Sequence, residues 1–123
     1  MAVEVIDFGS FSLVYDSDAD ATVENDVKSG ATTLYGIFVD NTGNSTEDEY
    51  LKIWDATAPT VASDEPDWVI FIPQGAKTYF PMHPGTGIPF ATGLSFIGTV
   101  TAGNTASQTN PTANMTVTML TAV

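Results

Sequence analysis

The stretch from Trp68 to Thr101 holds the densest run of aromatic and β-branched residues in the chain, and it is cut by Pro73, Gly75, Pro81, Pro84, Gly85, Gly87, Pro89 and Gly93. A proline inside a helix removes a hydrogen bond and clashes with the preceding turn, so a helix cannot run through this stretch. What the breaks leave are short strand-forming pieces, and the middle of the chain reads as part of an all-β domain. Strands are expected over Trp68 to Ile72 and Lys77 to Pro81, with a turn at Gln74-Gly75 between them. A constrained loop follows from His83 to Pro89, and then a strand pair, or one long strand with a bulge near Gly93, from Phe90 to Thr101.

The flanking segments have the same two-residue period. Phe11, Leu13 and Tyr15 alternate with Ser10, Ser12 and Val14, after the apolar Val3, Val5, Ile6 and Phe8 and a break at Gly9-Ser10. Residues 1–15 are therefore either an N-terminal strand with a bulge at Gly9 or an arm leaving the domain, and residues 16–123 form the domain proper. Asp16 to Asp20 reads as an acidic loop, Thr22 to Lys28 as a short strand, and Ser29-Gly30 as a turn. Ala31 to Asp40 places Thr33, Tyr35, Ile37 and Val39 on one face and Leu34, Gly36 and Phe38 on the other, a central strand covered on both sides. The polar Asn41 to Asp48 joins it to Glu49 to Ala56 as an antiparallel hairpin with a long tip. Thr57 to Asp67, with Pro59 and Pro66, is expected to be an exposed crossover between sheets, and Ala102 to Ala113 a loop at one end of the domain. In the last segment Met115, Val117, Met119 and Thr121 alternate with Thr116, Thr118 and Leu120, which predicts a strand paired inside a sheet. No helix-period pattern and no fixed repeat occurs. Seven to nine short strands with two long polar connections predict a single-domain, two-sheet antiparallel β-sandwich, jelly-roll or immunoglobulin-like.

Charge narrows the partners. Fifteen Asp and Glu face only Lys28, Lys52 and Lys77, with no Arg, and the net charge of −12 repels nucleic acid and anionic lipid. The chain has no Cys, so disulfides, thiolate zinc sites and Cys nucleophiles are excluded. Its start, MAVEVIDFGSFSLV, has no positive region and no uninterrupted apolar core, and no run is long enough to cross a bilayer as a helix, so a soluble, non-exported protein without membrane or nucleic-acid partners is expected.

Each candidate for chemistry meets a plainer explanation. His83 is the only imidazole; a general base needs an orienting partner and a nucleophile within hydrogen-bond reach, neither of which a sequence shows, and a surface or interface role is expected. Gly93-Leu94-Ser95-Phe96-Ile97 opens like a nucleophile elbow but lacks the closing Gly and the strand-to-helix setting. Glu47-Asp48-Glu49 and Asp64-Glu65 read as solvated charges that blunt sheet edges and not as a glycosidase pair. Asp16-Ser17-Asp18-Ala19-Asp20 resembles the opening of a calcium loop, but Ala21 stands where Gly is needed and Val27 where the bidentate Glu is needed. A solvated turn is expected, and no metal or cofactor is assigned. Trp54, Trp68, Tyr79, Phe80 and Phe90 are first of all core residues, although Trp54 shares a strand face with Tyr50 and Lys52, a half-exposed side suited to an interface.

Taken in order, GATTLYGIFVDNTGN, EYLKIWDATAPTV, EPDWVIFIPQGAKTYFPMHPGTGIPFATGLSFIGTVTAGNT and MTVTMLTA resemble small proteins encoded among the structural genes of tailed bacteriophages. The resemblance spans about Gly30 to Thr121 and lies in the ordered series and in no single motif. It implies a virion β-sandwich without enzymatic activity: a capsid decoration or cement protein, made in the host cytoplasm and placed on the capsid surface, homotrimeric, and in contact with the major capsid protein or neighbouring virion proteins. Phe8, Phe11, Trp54, Met82 and His83 are the candidate partner contacts. The alternative is a head- or tail-fibre module that binds a host receptor or carbohydrate.

Overall fold

The computed structural model describes residues 3–82, 86–103 and 107–123. Within them the chain forms β1 (Val3–Phe8), β2 (Phe11–Ala19), β3 (Glu24–Ser29), β4 (Thr32–Asp40), β5 (Glu49–Asp55), β6 (Trp68–Ile72), β7 (Lys77–Pro81), β8 (Ile88–Phe90), β9 (Gly93–Thr99) and β10 (Met115–Ala122). Among the described residues no helix is long and apolar enough to cross a membrane.

The strands make two antiparallel sheets. Sheet A runs β1-β2-β10-β4, and the far edge of β4 is shared by β7, along Gly36 to Asp40, and β8, along Thr32 to Leu34. Sheet B runs β3-β9-β5-β6. The pairing is nested: β5 with β6, β4 with β7 and β8, β3 with β9, β2 with β10. Nested pairs that alternate between two sheets are the topology of a jelly roll, and an immunoglobulin-like order does not produce them. The terminal strand β10 lies inside sheet A, between β2 and β4, as its alternation requires. Met115, Val117, Met119 and Thr121 are all fully buried on its inner face. The first three pack with Val14, Ile37 and Val39 of sheet A against Leu51, Ile53, Leu94 and Phe96 of sheet B. Each such apolar side chain contributes about 1.5–3 kcal/mol by leaving water.

Several local expectations change because distant segments pair. The Asn41–Asp48 segment is not a hairpin tip: β4 lies in sheet A and β5 in sheet B, so it bridges the sheets. Two buried asparagines hold the bridge. Asn44 Nδ2 donates to Asn41 Oδ1 at 2.8 Å and to the Ala113 carbonyl at 2.5 Å, while Asn44 Oδ1 accepts the Ala113 N–H at 2.7 Å. Conversely, the 57–67 connection is no crossover, since β5 and β6 that it joins are neighbours in sheet B. Phe90 to Thr101 is neither one strand nor a pair, because β8 belongs to sheet A and β9 to sheet B. The Asp55 carboxylate caps the turn between them, accepting the N–H groups of Ala91, Thr92 and Gly93 at 2.9, 2.7 and 3.2 Å. The acidic Asp16–Asp20 segment is mostly strand, as β2 continues to Ala19 through a bulge opposite Met115 to Val117.

At the N-terminus β1 and β2 form a hairpin in sheet A, with Phe8 opposite Phe11. Gly9 occupies the first loop position at φ +61° and Ser10 follows without positive φ, the pattern of a type II′ turn, so Gly9 serves the turn and not a bulge. Residue 15 lies within β2, which pairs β1 on one side and β10 on the other.

Candidate functional site

The two sheets differ in what covers their outer faces. Sheet B is roofed by the two long polar connections. The 57–67 segment bends back so that the Asp64 carbonyl accepts the Trp54 indole N–H at 2.9 Å. On the neighbouring side Lys52 Nζ donates to the Gly103 carbonyl at 2.6 Å and to the Gln108 side-chain oxygen at 3.0 Å, which ties down the segment before β10. Beneath this roof Trp54 is only 2% exposed and Lys52 is buried, with its pKa lowered by desolvation. On this side Val69 and Phe71 of edge strand β6 stay exposed, with Tyr50 beside Phe71.

Among the described residues, nothing roofs sheet A. Its register aligns two cross-strand rows on the outer face. One runs Glu4, Tyr15, Thr118, Phe38, Tyr79 and the next Ile6, Leu13, Leu120, Gly36, Pro81. Phe38 and Tyr79 stack with centroids 4.6 Å apart and planes 28° apart, yet they are 56% and 52% exposed. A Cβ on Gly36 would come within 3.0 Å of the Tyr79 ring, so glycine at this position lets the ring lean across β4. Beside the ring lies a hollow of about 190 Å³ lined by Leu13, Gly36, Phe38, Tyr79, Thr118 and Leu120. The β1–β2 hairpin continues the aromatic surface: Phe8 lies 6.2 Å from Phe11, which meets Tyr35 edge-on at 5.6 Å. Among the described residues charge is confined to the margins, at Glu4 and at an exposed Lys77–Asp40 pair 3.8 Å apart, whose geometry is worth little in water. A contiguous apolar face of this kind is what marks association surfaces on soluble proteins.

Of the residues singled out from sequence, Phe8 and Phe11 lie on this face. Trp54 is not half-exposed as expected: the side it was to present is covered by the 57–67 connection. Met82 is half-buried against the core, and its N–H donates to the Tyr35 carbonyl at 3.0 Å. His83 lies outside the described residues. Phe38, expected on a covered strand face, and Tyr79, expected in the core, are instead the most prominent pair on the open face, because alternation shows which residues share a face but not whether anything covers it. The sequence also gives no sign of the irregular register within β4, where Leu34 and Ile37 both turn inward.

The acidic clusters have divided fates. Asp64 Oδ2 accepts the Thr60 N–H at 2.7 Å and Asp48 Oδ1 the Gln74 N–H at 3.0 Å, so both fasten loops. Glu47 accepts the Thr112 N–H and hydroxyl, at 2.5 and 3.1 Å. Glu49, expected to be a solvated charge, is instead fully buried at the start of β5. Burial first, and then the adjoining Glu47 carboxylate and the charge of Asp48, push its carboxyl up to about 8, so it is a neutral acid at pH 7.

A second cluster joins the two sheets at one end of the sandwich. Alternation along β2 turns Asp16 inward with Ser12 and Val14, and the carboxylates of Asp18, at the β2 bulge, and of Glu24, on β3 opposite Phe96, come close to it. Carboxylate oxygens of the three residues all lie within 4.8 Å of one another. Asp16 Oδ1 accepts the Asp18 N–H at 3.0 Å, whereas Asp16 Oδ2 and Glu24 Oε2 are buried with no hydrogen-bond partner. Asp16 is 0% exposed and Glu24 5%. Desolvation, followed by contact with the Asp18 carboxyl, raises the Asp16 pKa to about 7, and desolvation with the charges of Asp18 and Asp20 raises that of Glu24. An opening of about 180 Å³ between Asp18, Asp20, Thr22, Val23 and Glu24 leads to the cluster from solvent. Sequence spacing pointed at Asp16 and Asp18 but not at Glu24, which a cross-sheet contact supplies.

The chain matches no family model, and no curated protein matches it significantly.

Proposed function

We propose that the protein is a non-enzymatic structural module that attaches through the bare face of sheet A to a larger protein lattice, and that the lattice is the head of a tailed phage, which the protein decorates or cements. The observation that carries the attachment is the exposed row of Tyr15, Phe38 and Tyr79 with the adjoining Ile6, Leu13 and Leu120, set against a sheet B whose equivalent face is roofed. Electrostatics favour the same surface. With Lys52 buried and the half-buried Lys28 bonded through Nζ to Ser12, Lys77 is the one exposed lysine of a chain of charge −12, so an apolar contact has to supply the affinity. The phage head as the lattice, the major capsid protein as the partner and the homotrimer rest on the ordered sequence resemblance alone. Edge strand β1, continuous with this face through Phe8 and Phe11, suits strand addition to a neighbour.

The fibre reading draws on one feature, the polar margin formed by Asp40, Lys77, Thr116 and Thr118 beside Phe38, which is the mix of ring and hydrogen-bonding groups that a sugar needs. Mixing the purified chain with phage heads that lack it separates the two. Co-sedimentation that persists in 0.5 M salt, where the Debye length is about 4 Å against about 8 Å at physiological ionic strength, is expected for decoration by an apolar contact. Glycan binding without co-sedimentation would move the assignment to a fibre module.

A further inference from the structure

We propose that Asp16, Asp18 and Glu24 form a binding site for one hard divalent cation of the calcium type, which clamps sheet A to sheet B at the end of the sandwich where β2 and β3 meet. The inference is independent of what the outer face of sheet A binds.

Two independent observations support it. The first is the donor set: three carboxylates from two strands in different sheets, with oxygens within 4.8 Å of one another. The second is that this set is left unfinished in a place where polar groups are normally satisfied. Asp16 Oδ2 and Glu24 Oε2 are buried and unpartnered, on side chains at least nine-tenths removed from solvent. A buried polar atom without a partner costs about 1–3 kcal/mol, and more when charged, so two of them facing one cluster call for a partner such as a bound ion. The lysines do not fill it: Lys28 Nζ bonds Ser12 Oγ at 3.1 Å, Lys52 bonds Gly103 and Gln108, and Lys77 lies beside Asp40.

Ligand chemistry then selects the ion. All donors are carboxylate oxygens, which suit hard cations, and no thiolate or imidazole is present in the cluster to favour zinc or copper. Calcium accepts six to eight oxygens in flexible geometry, so three protein groups suffice only if water completes the shell. The opening between Asp18, Thr22 and Glu24 provides that access. Asp20 shapes its rim, because Asp20 Oδ1 accepts the Thr22 N–H at 2.8 Å and its carbonyl accepts the Gly98 N–H at 2.7 Å. Binding would join β2 to β3 directly, and so lock together strands whose pairing partners, β10 and β9, come from the far end of the chain.

The test is calcium titration of the full chain by isothermal calorimetry at pH 8 after removal of metal with EDTA, together with melting temperature in EDTA and in 5 mM calcium. One site per chain is expected, with a melting temperature several degrees higher in calcium. In the Asp16→Asn and Glu24→Gln double variant the calorimetric site and the calcium-dependent shift should both disappear. Its melting temperature in EDTA should equal or exceed that of the wild type, because buried charges have been removed; this shows that the variant folds. Absence of a calorimetric site in the wild type overturns the proposal, and Asp16 and Asp18 then share a proton. A calcium response of equal size in the variant also overturns it, since that response belongs to general screening of an acidic surface.

Discussion

Replacing Glu49 with Gln isolates the effect of one buried acid on stability. Glu49 is fully buried, and both of its carboxylate oxygens lack a donor when it is ionised. When protonated it donates to Glu47, whose own pKa is lowered by the Thr112 backbone N–H. The folded carboxyl titrates at about 8 against 4.5 in the unfolded chain, so between those values the native state binds more protons and stability falls as pH rises. At 1.36 kcal/mol per tenfold change in proton affinity, full deprotonation removes a ceiling of about 5 kcal/mol. Glutamine keeps a hydrogen-bond donor toward Glu47 and never ionises. Urea unfolding at pH 5.5 and pH 8.5 should therefore give Glu49→Gln an advantage over wild type of only about 1 kcal/mol at the lower pH, where the unfolded wild-type chain is already ionised, and of several kcal/mol at the upper. Contributions from Asp16 and Glu24 are common to both proteins and cancel in the difference. Equal pH slopes in the two proteins, or a Glu49→Gln protein less stable at pH 8.5, would refute the burial of a neutral acid at this position.

Three further outcomes follow from the same geometry. Asp55→Asn should cost about 1.5–3 kcal/mol, the usual worth of hydrogen bonds to a charged group. Burial opposes the Asp55 charge, but the Ala91, Thr92 and Gly93 N–H groups outweigh it and hold the pKa below 3.8, so the difference from wild type should shrink as pH falls through that depressed value, measured by acid unfolding. Lys52→Met should leave the core intact but release the segment around Gly103 and Gln108, seen as faster amide exchange there and a loss of about 1–3 kcal/mol in urea unfolding. Substituting Phe38 and Tyr79 together by Ser should change the unfolding free energy by only about 1 kcal/mol, because both are half-exposed, while abolishing co-sedimentation with heads.

The all-β class and most strand positions were legible because alternation and Pro-Gly punctuation are local. The terminal strand is the clearest instance: its period of two alone predicts the buried set Met115, Val117, Met119 and Thr121. What the sequence did not show depends on pairing between distant segments. The assignment of β4 and β5 to different sheets depends on Asn44 meeting Ala113, 69 positions away. Trp54 and Phe38 illustrate the same limit for the surface. Both sit on strand faces with mixed neighbours, and only the path of the 57–67 connection decides that the tryptophan is covered and the phenylalanine bare. The carboxylate cluster was half visible, since Asp16 and Asp18 stand two apart while Glu24 joins them only through the contact of β2 with β3.

Cryo-electron microscopy of tailed-phage heads mixed with this chain tests the proposed decoration most directly. The account predicts density for the jelly roll at regular positions on the head, with the outer face of sheet A, around Phe38 and Tyr79, buried against protein. Particles without that density, or with the sandwich bound so that Phe38 and Tyr79 face solvent, would contradict it.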